Sequence, residues 1–271
     1  MNGAVLDIAL SSSPGVAKRA LLREPNARNE LLPQGAGPVA VTEMIAALLT
    51  KGPSSLLGPS DVWKLSLSDR DRIVASLHTS CFGDRVESIV TCSTCGQPFE
   101  MTFSLAEEVV QPLDRPAAAS QPIDSDEGGM YALQDGRRFR LPNAEDERAL
   151  QGLPVEEATR ELIRRCVASG ETTSDNDEAL DTAMSAVAPI MDVDVPVECG
   201  ICHTELKVRF DMVSFFISSL ARERPILLRE IHRLAVTYHW SREEIMDMPR
   251  SLRRAHVELI EIDRGSLRVP I

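Results

Sequence analysis

Two Cys-x-x-Cys motifs stand 107 positions apart in this chain, the first formed by Cys92 and Cys95 and the second by Cys199 and Cys202. Apolar residues around the two motifs match at the same offset without a gap. Those of the first copy are Val86, Val90, Phe99, Met101 and Phe103, and those of the second are Val193, Val197, Leu206, Val208 and Phe210. Because polar residues alternate with the apolar ones, each copy is predicted to be a β-hairpin with one inward face and the cysteines at its turn.

The paired motifs predict one zinc site with four sulfur ligands. A Cys-x-x-Cys turn places two thiolates on the same side of a tight loop, and a second such turn completes a tetrahedral shell. A closed shell of this kind has no open position for water or substrate, so the predicted zinc is structural. Two alternatives stay open, a thiol redox pair and inert thiols. His203 directly follows Cys202 and is an alternative fourth ligand.

Composition limits the classes of partner. The net charge of the 271 residues is −12, which disfavours non-specific binding to nucleic acid because that binding depends on Lys and Arg neutralising phosphates. The longest apolar runs, such as residues 44–49, are far shorter than the roughly 20 residues that span a membrane. The N-terminus lacks the basic and apolar pattern of a secretory signal. We therefore expect a cytoplasmic protein with neither a membrane nor a nucleic-acid partner.

Composition and turn signals divide the chain into five segments. Residues 1–40, rich in Ser, Pro, Gly and Ala, are expected to form an extended arm. Residues 41–106 are expected to hold helices and the first zinc hairpin, and 107–129 to be a linker. Residues 130–212 are expected to hold a hairpin, two helices and the second zinc hairpin, and 213–271 to be helical. The predicted fold class is α+β, with a zinc-ribbon-like pair of β-hairpins and flanking helices.

Local signals predict the individual elements. A short helix is expected over 42–50. Ser68 and Asp71 have the spacing of a helix cap and its reciprocal partner, and Gly83 is expected to end that helix. Asp135-Gly136 predicts a hairpin within 131–141. The acidic run at 145–147 is typical of a helix start, and further helices are expected over 155–169 and 175–187.

The C-terminal segment carries two apolar stripes at helical spacing. Pro225 is predicted at a first helical position, Ser241 and Glu244 as a capping box, and Trp240 with Ile245 as its hydrophobic staple. A last helix is expected over 249–263, closed by Gly265. The stripes are Leu227, Ile231, Leu234 and Tyr238, and then Leu252, Ala255, Leu259 and Ile262. If the two stripes face each other, as expected, Leu228, Ala235 and Val257 are left either to pack onto the hairpin core or to dock another protein.

No catalytic motif is evident in the sequence. A Gly-rich phosphate loop, a nucleophile elbow and an H-E-x-x-H motif are all missing. His78, His232, His239 and His256 have no matched acidic partner and are expected to be satisfied or solvent-facing. Cys81 and Cys166 lie on apolar helix faces and are predicted to be ordinary buried thiols, and the Arg164-Arg165 and Arg253-Arg254 pairs to be solvated. The interpretation is a non-enzymatic protein with no small-molecule substrate.

Three passages together resemble a known family: SLSDRDRIVASLHTSCFGDRVESIVTCSTCGQPFEMTFSL, DGRRFRLPNAEDERAL and ILLREIHRLAVTYHWSREEIMDMPRSLRRAHVELI. They are similar, in this order, to segments of baseplate proteins of contractile phage tails and related injection systems. The nearest group is the T-even-type baseplate hub assembly chaperone family. The resemblance implies a structural or assembly role with other baseplate or tail proteins as partners, in the cytoplasm or within a phage-tail-like particle. The alternative is a zinc-ribbon module that binds nucleic acid or the transcription machinery.

Overall fold

The chain folds into helices and short antiparallel strand pairs. The computed structural model describes residues 5–11, 18–32, 37–50, 57–114, 126, 129–133, 135–169 and 178–266. The α+β prediction is confirmed. Within these ranges, no helix is both long and apolar enough to cross a membrane.

The N-terminal residues differ from the expected extended arm. Strand β1 (Val5–Ala9) pairs with β2 (Arg19–Arg23), and helices α1 (Ala27–Leu31) and α2 (Gly37–Leu48) follow. Alternate residues of the hairpin, such as Ile8 and Leu22, are buried in the largest hydrophobic core together with α2. The polar, Gly- and Pro-rich composition concealed this short period-two pattern. Helix α2 also begins before the expected residue 42.

Helix α3 (Leu67–Phe82) is capped by Ser66, two residues before the predicted cap. The Ser66 side chain accepts a hydrogen bond from the backbone N–H of Asp69 at 3.1 Å. Ser68 instead donates from its hydroxyl to the Pro189 carbonyl at 2.7 Å. Gly83 ends the helix with φ 88° as predicted, a conformation that glycine adopts without steric cost.

Asp71, the expected capping partner of Ser68, binds a distant segment. Its carboxylate accepts a hydrogen bond from the Met191 backbone N–H at 3.0 Å. Ser68 and Asp71 therefore join α3 to the residues that lead into the second cysteine hairpin.

The two cysteine hairpins have the same bounds at an offset of 107 residues. Strands β3 (Arg85–Thr91) and β4 (Pro98–Ser104) form the first, and β8 (Asp192–Glu198) and β9 (Glu205–Asp211) the second. Each pair is antiparallel and in continuous register over seven residues. Their inward residues, among them Val86, Phe103 and Phe210, belong to the same core as the N-terminal hairpin.

The start of the expected linker is helical. A π-helical turn over Ala106–Val110 runs into helix α4 (Gln111–Asp114), and Val109 is fully buried in the main core. The predicted linker therefore does not begin at residue 107. Its residues 115–125, 127 and 128 lie outside the described residues.

The middle of the chain forms a small three-stranded sheet. The hairpin predicted around Asp135-Gly136 is confirmed: β5 (Tyr131–Ala132) pairs with β6 (Arg138–Phe139). Helix α5 (Ala144–Leu150) has acidic residues in its first turn, as expected. Helices α6 (Val155–Cys166) and α7 (Glu178–Val187) follow, but α6 stops short of residue 169. Residues Val167–Ser169 instead form strand β7, which pairs with β6.

The C-terminal segment is helical, as predicted, with different bounds. Helix α8 (Met212–Tyr238) contains Pro225 in its interior, so this proline does not begin a helix. The predicted Ser241–Glu244 capping box opens α9 (Arg242–Asp247). Helix α10 (Arg250–Ser266) extends past Gly265, which therefore does not close it.

One of the two C-terminal stripes is buried and the other is not. Leu227, Ile231 and Leu234 form a second core with Ile245, and Tyr238 packs against it. Ile260 and Val257 of α10 face this core, and Ala235 also packs against it, whereas Leu228 is 49% accessible. The expected stripe of Leu252, Ala255, Leu259 and Ile262 is exposed, with Leu259 and Ile262 52% and 55% accessible. The two stripes therefore do not face each other.

Arg253 is completely buried, contrary to the predicted solvated face. Its guanidinium donates to Glu230 at 2.8 Å and to Glu30 at 2.7 Å. These ion pairs join α10 to α8 and to α1. In the Arg164-Arg165 pair of α6, Arg164 is 70% accessible, as predicted, whereas Arg165 is 34% accessible and pairs with Glu161 at 2.8 Å.

Candidate metal centre

Each Cys-x-x-Cys motif forms the turn of its hairpin with the same hydrogen bonds. In the first, Cys92 N–H donates to the Gln97 carbonyl at 3.0 Å and Gly96 N–H to the Cys92 carbonyl at 2.9 Å. In the second, Cys199 N–H donates to Thr204 and His203 N–H to Cys199, at 3.0 and 2.9 Å. These partners are all related by the 107-residue offset. The repeat seen in the sequence therefore extends to the backbone hydrogen bonds.

The turns bring the four predicted ligands together. Cys92, Cys95, Cys199 and Cys202 place their sulfur atoms within 4.8 Å of one another. The closest pairs across the two turns are Cys92 with Cys202 at 3.7 Å and Cys95 with Cys199 at 3.9 Å. A tetrahedral centre with metal–sulfur bonds of about 2.3 Å requires sulfur–sulfur distances of about 3.8 Å. The four sulfurs could therefore hold a single metal ion.

The contacts across the site are reciprocal. At the 107-residue offset, Cys92 corresponds to Cys199 and Cys95 to Cys202. Exchanging the two hairpins therefore turns the Cys92–Cys202 contact into the Cys199–Cys95 contact. This is the relationship that a two-fold axis imposes on an isologous interface. The two hairpins consequently contribute equal halves of one site.

The site is half enclosed by apolar side chains. Cys92 and Cys199 are buried, while Cys95 and Cys202 are partly accessible. Phe99 is buried with the cysteines, and Leu206, its counterpart in the second hairpin, packs against them. The first cysteine of each motif therefore faces the protein and the second faces the surface.

Hydrogen bonds at the turns favour the thiolate, the form of cysteine that binds metal, at Cys92 and Cys202. The backbone N–H groups of Cys95 and Thr94 lie 3.5 and 3.4 Å from Cys92 Sγ and lower the pKa of Cys92. A hydrogen bond between Cys202 and the Thr204 hydroxyl, at 3.3 Å, lowers the pKa of Cys202 to about 6. The role of Thr204 was not predicted. At Cys95 a backbone hydrogen bond at Gln97 lowers the pKa, but burial and the neighbouring sulfurs outweigh it and raise the pKa to about 11.

His203 does not belong to the sulfur cluster. Its side chain is 75% accessible, and its Nδ1 lies 2.7 Å from the Glu198 carboxylate. Its backbone adopts φ 58°, and Gly96, its counterpart in the first turn, has φ 71°. His203 thus occupies the left-handed position that closes the turn.

The remaining cysteines are buried away from the cluster. Burial raises the pKa of both Cys81 and Cys166 to about 12. The prediction of ordinary buried thiols is confirmed. Among the described residues, the four-cysteine group is the one set of His, Cys, Asp and Glu side chains arranged to hold a metal ion.

His78 differs from the expected satisfied histidine. It lies in the core among Phe82, Phe215 and Phe216, and within the described part of the chain its Nδ1 has no hydrogen-bond partner. Burial lowers the pKa of His78 to about 4. Of the other histidines, His232 and His239 are exposed.

No protein-family model, curated protein sequence or solved structure matches this chain.

Proposed function

We propose that Cys92, Cys95, Cys199 and Cys202 bind one zinc ion and that the two hairpins form a zinc-ribbon-like structural centre. The observation that carries this proposal is the reciprocal sulfur geometry, with cross-turn distances of 3.7 and 3.9 Å. Zinc is the metal that most often takes four thiolates in a tetrahedral shell.

The zinc in this proposal stabilises the fold and takes no part in a reaction. Four sulfur ligands complete the shell, so no site is left for a water molecule or a substrate. Metal coordination couples residues that lie 107 positions apart to a single centre, and such coupling can contribute on the order of 10 kcal/mol to folding. The metal would hold both hairpins against the main core, to which their inner faces contribute.

We further propose that the protein is a non-enzymatic structural or assembly component of a contractile tail or injection-system baseplate. The support is the resemblance of its three sequence passages, in order, to baseplate proteins. The acidic charge of −12 suits docking to a basic protein surface.

The C-terminal helices are the proposed contact with other baseplate proteins. Leu252, Ala255, Leu259 and Ile262 of α10 follow the 3–4 spacing of a helix-packing seam and are exposed. An exposed apolar seam of this kind is typical of a protein-binding surface.

Mass spectrometry of purified tail particles, or pull-down from assembling particles, tests the baseplate role. We expect the protein to co-purify, and Leu259→Glu with Ile262→Glu to abolish co-purification while the zinc content stays unchanged. Val155→Glu is the matched control because Val155 is an apolar residue, 82% accessible, on a different helix. Failure of the wild-type protein to join particles, or equal recovery of the seam variant, would contradict the proposal.

A further inference from the structure

A groove with a volume of about 630 Å³ lies between strands β4 and β8. Consecutive residues of each strand line the groove. Its walls therefore include the backbone edges of β4 and β8 and not only the side chains of one face. Glu107 and Glu108 of the π-helical turn after β4 also line it.

The edge of β4 that borders the groove has backbone groups free for pairing. The bonds Cys92 N–H to Gln97 O and Leu105 N–H to Asp84 O mark both ends of the β3–β4 ladder. Because ladder bonds alternate along antiparallel strands, the N–H and C=O groups of Glu100 and Thr102 point away from β3. Within the described ranges, neither residue has a backbone partner on that side.

The facing edge of β8 is blocked. In the second hairpin, the bonds Cys199 N–H to Thr204 O and Met212 N–H to Met191 O mark the ends of the β8–β9 ladder. By the same alternation, the backbone of Pro196 faces away from β9. Proline has no N–H, and natural sheets use it to prevent pairing at an edge. Strand β4 is therefore the edge of this groove that can accept another strand.

The groove is acidic. Glu100, Glu107 and Glu108 are exposed, and none has an ion-pair partner among the described residues, whereas Glu198 at the other side contacts His203. Three carboxylates around an open strand edge favour a segment with Lys or Arg side chains.

We propose that this groove binds an extended basic segment of a partner protein, which adds a strand to β4. Backbone hydrogen bonds to Glu100 and Thr102 supply the pairing, and the three glutamates select basic side chains. The lining residues 99–104 accommodate about six residues of extended chain. This inference goes beyond the baseplate role, because it holds for any assembly that the protein joins.

A second copy of this chain is the competing occupant, since β9 carries Lys207 and Arg209. Arg209, however, already pairs with Asp192 of its own hairpin. If β9 of a second copy occupied the groove, Lys207 would be the basic side chain of that strand left to face the three carboxylates. Charge complementarity therefore favours a foreign basic segment.

Binding of a fluorescent peptide with the sequence Lys-Val-Lys-Val-Lys-Val to the full-length protein tests the proposal by anisotropy. We expect saturable binding that weakens with salt and no binding of the Glu-Val counterpart. Thr102→Pro removes an outward N–H without touching the β3–β4 ladder, and it should weaken binding about tenfold. Ile89→Pro is the control, because Ile89 is the repeat counterpart of Pro196 and its N–H also points outward. It should leave affinity unchanged.

The charge reversal Glu107→Lys with Glu108→Lys supplies an independent test that leaves the strands intact. It should also weaken binding of the Lys-Val peptide about tenfold, with the metal content and melting temperature of the protein unchanged. Equal binding of the basic and acidic peptides, or of wild type and both variant proteins, would overturn the proposal. Self-association that Thr102→Pro abolishes in sedimentation would assign the groove to a second copy instead.

Discussion

Phe103 and Phe210 occupy the same position in the two cysteine hairpins, and their rings meet edge to face with centroids 5.2 Å apart. Residues related by an internal repeat contact each other when a two-fold axis passes between them. The cross-turn cysteine contacts have the same reciprocity at the opposite end of the hairpins. The two hairpins thus pack as a pseudo-symmetric pair, with the sulfur cluster at one end and the aromatic contact at the other.

The aromatic pair predicts coupled losses of stability. Phe103→Ala and Phe210→Ala should each lower the free energy of unfolding by about 3–5 kcal/mol, because both rings are buried in the main core. The free energy of unfolding of the double variant should fall by about 1 kcal/mol less than the sum of the two single losses, because the contact between the rings is lost only once. Urea denaturation measures this. Phe139→Ala is the control, because Phe139 lies in a separate core and its effect should add to that of Phe103→Ala.

Replacing His203 tests whether this residue closes the turn or serves as a metal ligand. His203→Gly should retain the metal and raise the free energy of unfolding by about 1 kcal/mol, because glycine adopts φ near 58° without the steric cost of a side chain. Metal content and thermal denaturation of the purified variant check both parts. Loss of the metal from His203→Gly would show that the imidazole is a ligand.

Breaking the buried ion pairs of Arg253 should be costly. Arg253→Ala removes the cation that Glu30 and Glu230 share. Arg250 still pairs with Glu30 and Arg254 with Glu230, so we expect a loss of about 3 kcal/mol in the free energy of unfolding, at the lower end for a broken buried pair. Arg233→Ala is the matched control, since Arg233 joins α8 to Glu261 of α10 in an accessible pair and should contribute less than about 1 kcal/mol. Similar losses from both variants would contradict this account.

His78 should make stability depend on pH. Its pKa falls from 6.5 to about 4 on folding, so between these values the unfolded chain binds a proton that the folded protein does not. Stability contributed by the neutral histidine is therefore lost as pH falls from about 6.5 to 4. His78→Phe should remove this part of the pH dependence.

Comparison of His78→Phe with wild type cancels any pH dependence of the metal centre, which both proteins share. His232→Ala should behave as wild type, because His232 is exposed. A constant stability difference between wild type and His78→Phe from pH 7 to pH 4 would disprove the assignment.

The cysteine hairpins can be predicted from the sequence because the same pattern occurs twice and each copy supports the assignment of the other. A single run such as residues 98–104 is too short to identify a strand, but the same alternation at the same offset identifies both strands and the four ligands. Elements without a second copy were less predictable. Strand β7, of three residues, directly follows a helix and has no turn signal before it.

Other differences arise from contacts between distant residues. Ser66 and Ser68 are each followed three residues later by an aspartate, so local spacing does not show which serine caps helix α3. The structure favours Ser66, which forms an isolated β-bridge with Asn143. Arg253 appears solvated in the sequence because its partner Glu30 lies 223 residues away. The exposed seam of α10 has the same pattern as a buried stripe, and periodicity alone does not distinguish them.

The most direct test of the account is the metal content of purified wild-type, Cys92→Ser, Cys199→Ser and Cys166→Ser proteins, measured by elemental analysis alongside thermal denaturation. We predict one zinc ion per chain in the wild type and in Cys166→Ser, whose replaced thiol lies outside the cluster. Cys92→Ser and Cys199→Ser should lose the zinc and be insoluble or strongly destabilised, since the site contributes on the order of 10 kcal/mol to folding. A metal-free wild-type protein whose melting temperature is unchanged by a chelator would contradict the account.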